Sequence, residues 1–107
     1  MNSIAEKDWK LLRAMKEEKL NQVCGEILQK VSQEMEFEEN EEYKAYLKLW
    51  KVLNREDKKV SDLFDDLKRS NAIFKLLSWR QNGLITEQEF NRFSEETRSI
   101  IMGIESF

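Results

Sequence analysis

Residues 70–101 read SNAIFKLLSWRQNGLITEQEFNRFSEETRSII, and the punctuation of this stretch decides the fold. An apolar turn ends at Asn82-Gly83, where glycine tolerates the left-handed backbone that closes a helix. Leu84 stands where such an exit places its hydrophobic contact. Thr86 with Glu89 forms a capping box, and Ile85 and Phe90 flank it as a hydrophobic staple, so another helix starts here. Phe90, Phe93, Ile100, Ile101 and Ile104 line this last helix, and Ser94-Glu95-Glu96-Thr97 can restart it.

Upstream, a third helix is expected from about Asp57, with Val60, Leu63, Phe64, Leu67, Phe74 and Leu77 turned inward. Ile73, Leu76 and Trp79 lie off that stripe, so its end is apolar on two sides. Such breadth means burial between layers or an exposed binding patch. Asn54-Arg55-Glu56-Asp57 permits a turn before this helix but contains no breaker. The second helix carries Tyr43, Leu47, Trp50 and Leu53 on one face. Lys44, Lys48, Lys51 and Arg55 repeat along another, continued by Lys58 and Lys59. A basic row of this kind is a solvated face or a contact surface for an acidic protein partner. No nucleic-acid reading motif accompanies it.

The run Glu34–Glu42 (EMEFEENEE) holds six glutamates and no base. Carboxylates oppose a helix C-terminus and favour an N-terminus. The first helix therefore ends here, and the second starts with Asn40 as cap and Glu41 and Glu42 in its first turn. No Asx-Gly loop organises these oxygens for calcium, so the run reads as an acidic connection in solvent.

Ser3 and Glu6 make a capping box for the first helix, expected from Ile4 to about Glu36. Its apolar positions are Trp9, Leu12, Met15, Leu20, Val23, Cys24, Ile27, Leu28, Val31 and Met35, mostly three and four apart. Lys16-Glu17-Glu18-Lys19 interrupts them as a solvated segment. Such a helix is roughly 50 Å long, against a radius of gyration of ~13 Å for a domain of this size. Either the helix breaks near Asn21 or Gly25, or it projects and covers its stripe with a second copy. The second is favoured, because Gly25 alone costs a helix only about 1 kcal/mol. Trp9, Leu20, Val23, Ile27, Leu28, Val31 and Met35 would form that dimer seam, which Val31→Glu and Ile27→Glu would test.

Composition agrees with helices: the 107 residues include no Pro, three Gly, 36% charged and 40% apolar side chains. One domain is expected, divided into a dimerisation helix (1–39) and a helical head (40–107). The fold class is all-α, a long N-terminal helix followed by a compact three-helix head in a homodimer. A net charge of −3 does not point to bulk nucleic-acid binding. The lone Cys24 excludes an internal disulfide, and beside Val23 and Ile27 it reads as a buried packing thiol. No leader pattern and no apolar run of membrane-spanning length appears, so a soluble cytoplasmic protein without membrane insertion is expected.

Chemistry is sparse. The chain has no His, the commonest general base and metal ligand. It shows no phosphate loop, no nucleophile motif and no metal-spaced cluster. NGLITEQEF mimics the end of a calcium loop, with Gly83 sixth and Glu89 twelfth, but Arg80 then takes the third position where a carboxylate belongs. A non-enzymatic protein with no cofactor and no metal is expected.

The chain resembles the fluorescence recovery proteins. The likeness lies in Trp9, a long first helix, and Leu49-Trp50-Lys51, then in Asp66, Ser70, Ile73 and Phe74. It continues at Gly83, Ile85, Glu89, Phe90, Phe93, Glu95 and Ile101. Weaker is the similarity of the Gly-Leu-Ile-Thr-x-x-Glu-Phe segment to short oligomerisation modules called SHOCT domains. The resemblance implies an all-helical, non-enzymatic dimer that binds the C-terminal domain of photoactivated orange carotenoid protein. Such a protein speeds the return to the orange state and release from the light-harvesting antenna. In that family a His-Asp-Phe run and a basic pair follow the Leu-Trp-Lys motif. Here the segment reads Val52-Leu53-Asn54-Arg55, with Lys58-Lys59 as the basic pair. The partner-binding residues so implied are Trp50, Lys51, Asn54, Lys58, Lys59 and Phe74. The alternative is an oligomerisation or interaction module of the same type serving another client.

Overall fold

The computed structural model describes residues 4–107, and all regular structure among them is helical. Helix α1 spans Glu6–Glu34, α2 Glu42–Phe64, α3 Ala72–Gln81, α4 Glu87–Phe90 and α5 Glu95–Glu105. A 3-10 turn at Arg69–Asn71 leads into α3. The expected capping box at Ser3 lies outside the described residues.

Helix α1 runs through Gly25 without a break, since one interior glycine costs a helix only about 1 kcal/mol. It stops at Glu34, where the acidic run begins. Asn40 is not the cap of α2: it takes a left-handed conformation (φ 72°) in the turn, and Glu41 holds the N-cap position without a side-chain bond. Asparagine tolerates that conformation better than most residues, so here it shapes the turn instead of capping the helix.

The second and third helices divide later than expected. Helix α2 continues through Asn54-Arg55-Glu56-Asp57 and ends at Phe64. The break is made by Asp66, left-handed at φ 57°, and closed by Asn71. The Asn71 side chain donates to Asp66 O (2.8 Å) and accepts from Lys68 N (3.0 Å). The interruption resets the helical phase. Ala72, Ile73, Leu76, Leu77 and Trp79 become the inward face of α3, whereas Phe74, expected inward, is 64% exposed.

After α3 the local signals act as written. Gly83 is left-handed (φ 73°), Leu84 N donates to Trp79 O (2.9 Å) and Gly83 N to Arg80 O (3.1 Å). This is the paired bonding of a Schellman exit. Thr86 Oγ1 accepts from Glu89 N (3.1 Å), and Glu89 Oε1 accepts from Thr86 N (2.9 Å). Ile85 and Phe90 are both buried. Helix α4 is a single turn, and Ser94 caps α5 by accepting from Thr97 N (3.3 Å).

The chain forms two compact units, Met1–Lys19 with Asp66–Phe107, and Leu20–Asp65. Helix α1 contributes to both, and the expected boundary at 39/40 falls in the α1–α2 connection of the second. The first unit buries Ile4 ahead of α1 and Leu12 and Met15 on it, with Leu76, Trp79, Phe90, Phe93 and Ile101 among its other core residues. In the second, α2 runs antiparallel to the C-terminal half of α1. The ion pairs Lys30–Glu56 (3.0 Å) and Glu34–Lys48 (3.1 Å) fix that direction.

The chain therefore supplies cover for much of the α1 stripe. Of the expected seam residues, Val23 is buried and Trp9, Leu20, Ile27 and Val31 are partly buried. Trp9 also lies under Arg13 (5.3 Å to the ring centre). Only Leu28 and Met35 stay well exposed, at 67% and 63%. Cys24, expected buried, is a partly buried free thiol.

Candidate functional site

The site candidate is α2, because its sequence makes three faces where a surface helix ordinarily has two. At ~100° per residue, Leu49, Val52, Glu56, Val60 and Leu63 share one face, and all are buried or partly buried. Tyr43, Tyr46, Leu47, Trp50 and Leu53 form a second, and every one is exposed. Lys44, Lys48, Lys51, Arg55 and Lys58 make the third, also exposed. A residue such as Trp50, 50% exposed in the middle of an aromatic row, lies outside the core that stabilises its unit.

The basic face is unevenly committed. Lys44 lies 3.7 Å from Glu41, and Lys48 pairs with Glu34. Glu56, buried on the packed face, gathers Lys30 (3.0 Å), Arg55 (3.2 Å) and Lys59 (3.4 Å). The Lys30 bond, opposed by burial and helped by Arg55, holds the Glu56 carboxyl below its usual range. Among the described residues, Lys51 and Lys58 carry no ion pair.

Next to the turn, Met35, Phe37, Tyr46 and Leu49 line an open groove of about 210 Å³ that continues the apolar row toward α1. A second groove of about 250 Å³ is walled by Phe37, Glu36, Glu38 and Glu41 with Lys44 and Lys48.

Of the sequence-predicted partner residues, Trp50, Lys51, Asn54 and Lys58 stand together on the exposed sides of α2. Lys59 is drawn to Glu56 instead, because the sequence repeat does not reveal the buried acid. Phe74 belongs to α3 in the other unit.

The first unit uses its polar residues for assembly. Asp8, fully buried, accepts from Ser94 N (2.8 Å), Ser94 Oγ (2.5 Å) and Thr97 Oγ1 (2.7 Å), tying α1 to the start of α5. Lys19, expected in solvent, is buried and donates to both oxygens of Glu89 (2.8 and 2.7 Å). Burial raises the Glu89 pKa, but Lys19 and Thr86 outweigh it and leave the carboxyl below its ordinary value. Arg80 lies over the Phe90 ring (3.9 Å) and bonds Glu87 (2.8 Å) and Glu105 (2.9 Å). Arg69 donates to Ile4 O (3.1 Å) and Glu6 (2.6 Å).

Sequence reasoning missed Asp8 and Lys19, yet a signal was there. Asp8, Leu12, Met15, Lys19 and Val23 are spaced four, three, four and four, so both polar residues occupy stripe positions. These groups are held by structural partners, and among the described residues no three His, Cys, Asp or Glu side chains are placed to hold a metal. Nor is any helix among them long and apolar enough to cross a membrane. Compared with protein-family models, with characterised proteins and with solved structures, the chain matches none.

Proposed function

We propose that this chain works by binding another polypeptide through the exposed sides of α2, and that it is not an enzyme. The supporting observation is the row Tyr43, Tyr46, Leu47, Trp50 and Leu53, left outside the core beside a basic row. Tryptophan and tyrosine are the usual anchors of protein interfaces, where they dominate the binding energy. The catalytic alternative lacks support, because the buried acids have committed structural partners.

The resemblance to fluorescence recovery proteins supplies a specific client, the C-terminal domain of photoactivated orange carotenoid protein. The test is titration of that domain with the wild-type chain and with Trp50→Ala. Binding weakened at least about tenfold by Trp50→Ala fits an interface anchor. Unchanged binding refutes α2 as the contact. No binding by the wild type refutes this client, and the alternative module with another client becomes the working reading.

Homodimerisation remains part of the proposal on narrower ground, the exposure of Leu28 on α1 and of Met35 just after it. Light scattering of wild type and Leu28→Glu decides it. A dimeric mass that falls to that of one chain in the variant supports the contact. A monomeric wild type rejects it.

A further inference from the structure

The chemistry of the partner can be narrowed from the way the cations of α2 are committed, an inference that rests on α2 being the binding element. We infer that the occupant of the α2 row is an acidic amphipathic helix, with an apolar stripe bordered on one side by carboxylates.

The apolar part of the surface is a helix face of fixed spacing: Tyr43, Leu47, Trp50 and Leu53 follow at four, three and three residues. A second helix matches such a ridge by laying its own i, i+3, i+4, i+7 row against it. On the side away from the packed face, the row is bordered by Lys51 and Lys58, with Asn54 between them. Among the described residues neither lysine is paired with an acid, whereas Lys44, Lys48, Arg55 and Lys59 each have a carboxylate at 3.1 to 3.7 Å. Lys51 has no acidic residue three or four positions away in either direction. Seven residues, or two helical turns, separate Lys51 and Lys58, ~10.5 Å along the axis. A helix carrying Glu or Asp at the same interval neutralises both while its apolar row covers Trp50.

A second copy fits this row less well. An antiparallel two-fold pairing of α2 lays like flanks side by side, setting Lys44, Lys51 and Lys58 against the same basic row of the other copy. Like charges so placed oppose association.

Two designed helical peptides test the assignment, with one leucine row bordered by Glu in the first and by Lys in the second. Binding to the full chain is read by fluorescence anisotropy, with melting curves as the control on folding. The Glu-bordered peptide is expected to bind at least about tenfold tighter than its Lys counterpart and to weaken with salt. The double variant Lys51→Glu/Lys58→Glu reverses the preference at an unchanged melting temperature. Trp50→Ala weakens both peptides alike.

Equal binding of the two peptides, or a preference that survives the charge reversal, overturns the acidic-helix assignment. In that case α2 still stands as a contact if Trp50→Ala weakens the binding. Failure of both peptides to bind overturns the assignment. So does a dimeric mass abolished by Trp50→Asp, which gives the row to a second copy. Stronger binding to anionic vesicles than to either peptide also overturns it, in favour of a lipid surface.

Discussion

The two units of this chain each bury charged groups, Asp8 and Lys19 in the first and Glu56 in the second, but they differ in where a tryptophan is left. In the first, Asp8 and Lys19 are drawn inside and matched to Ser94, Thr97 and Glu89, while Trp79 is fully buried. In the second, Tyr43, Tyr46, Trp50 and Leu53 stand outside, and the groove at its turn is open. A buried charge held by good partners resists removal because its loss strands the other partner. An exposed aromatic row gives its own unit little stability and is available to another molecule. The difference separates residues that maintain the fold from residues the fold leaves exposed.

The sharpest way to break that comparison is to truncate one tryptophan in each unit. Trp79→Ala is expected to cost about 3–5 kcal/mol, and Trp50→Ala about 0.5 kcal/mol or less, as measured by denaturant unfolding. Equal losses would show that the α2 row is part of a core. Next in size, Lys19→Ala leaves Glu89 half-shielded without its ammonium and should cost about 2–3 kcal/mol, whereas Lys51→Ala should be close to neutral. Gly83→Ala forces a side chain into a left-handed position and should cost about 1–2 kcal/mol, although a Cβ there meets nothing within 4 Å. A loss near zero would mean that the α3 exit can be remade without the left-handed residue.

The smallest effect is on the acid limb of stability. Glu56 and Glu89 both titrate below their ordinary 4.5 in the folded chain. Unfolding therefore takes up protons as the pH falls past 4.5, so the stabilisation is complete above that value and fades as the pH drops through the folded pKa values. Glu56→Gln removes the part contributed by the second unit, and Glu89→Gln the part contributed by the first. Stability measured from pH 6 down to pH 3 should fall less steeply in either variant. An unchanged slope in Glu89→Gln would mean that Lys19 does not hold its carboxylate charged.

Legibility followed the range of the forces. The Thr86–Glu89 capping box, the Gly83 exit and the Ser94 restart are settled by atoms a few residues apart, and each was read in place. Trp50, Lys51 and Asn54 could be placed on one helix from spacing, whereas Lys58 joins them because α2 runs on through Asp57, where the sequence allowed a turn. Lys59 could not be sorted from its neighbours, because its carboxylate partner Glu56 is defined by burial, not by charge order. The break at Asp66 was hidden for a related reason. Asp65-Asp66 contains neither glycine nor proline, and an unnoticed break shifts the helical phase that follows, as Phe74 shows.

The amino-acid sequence by itself determined the helical class, the acidic turn that ends α1, and the caps and exit around α3 and α4. Bonds of this kind close within a turn or two of backbone and need no distant partner. Tertiary structure alone decided that Asp8 and Lys19 go inside, that much of the α1 stripe finds cover in its own chain, and that the α2 aromatics stay out. A helical period states which side chains share a face, but what covers that face depends on segments far away in the chain.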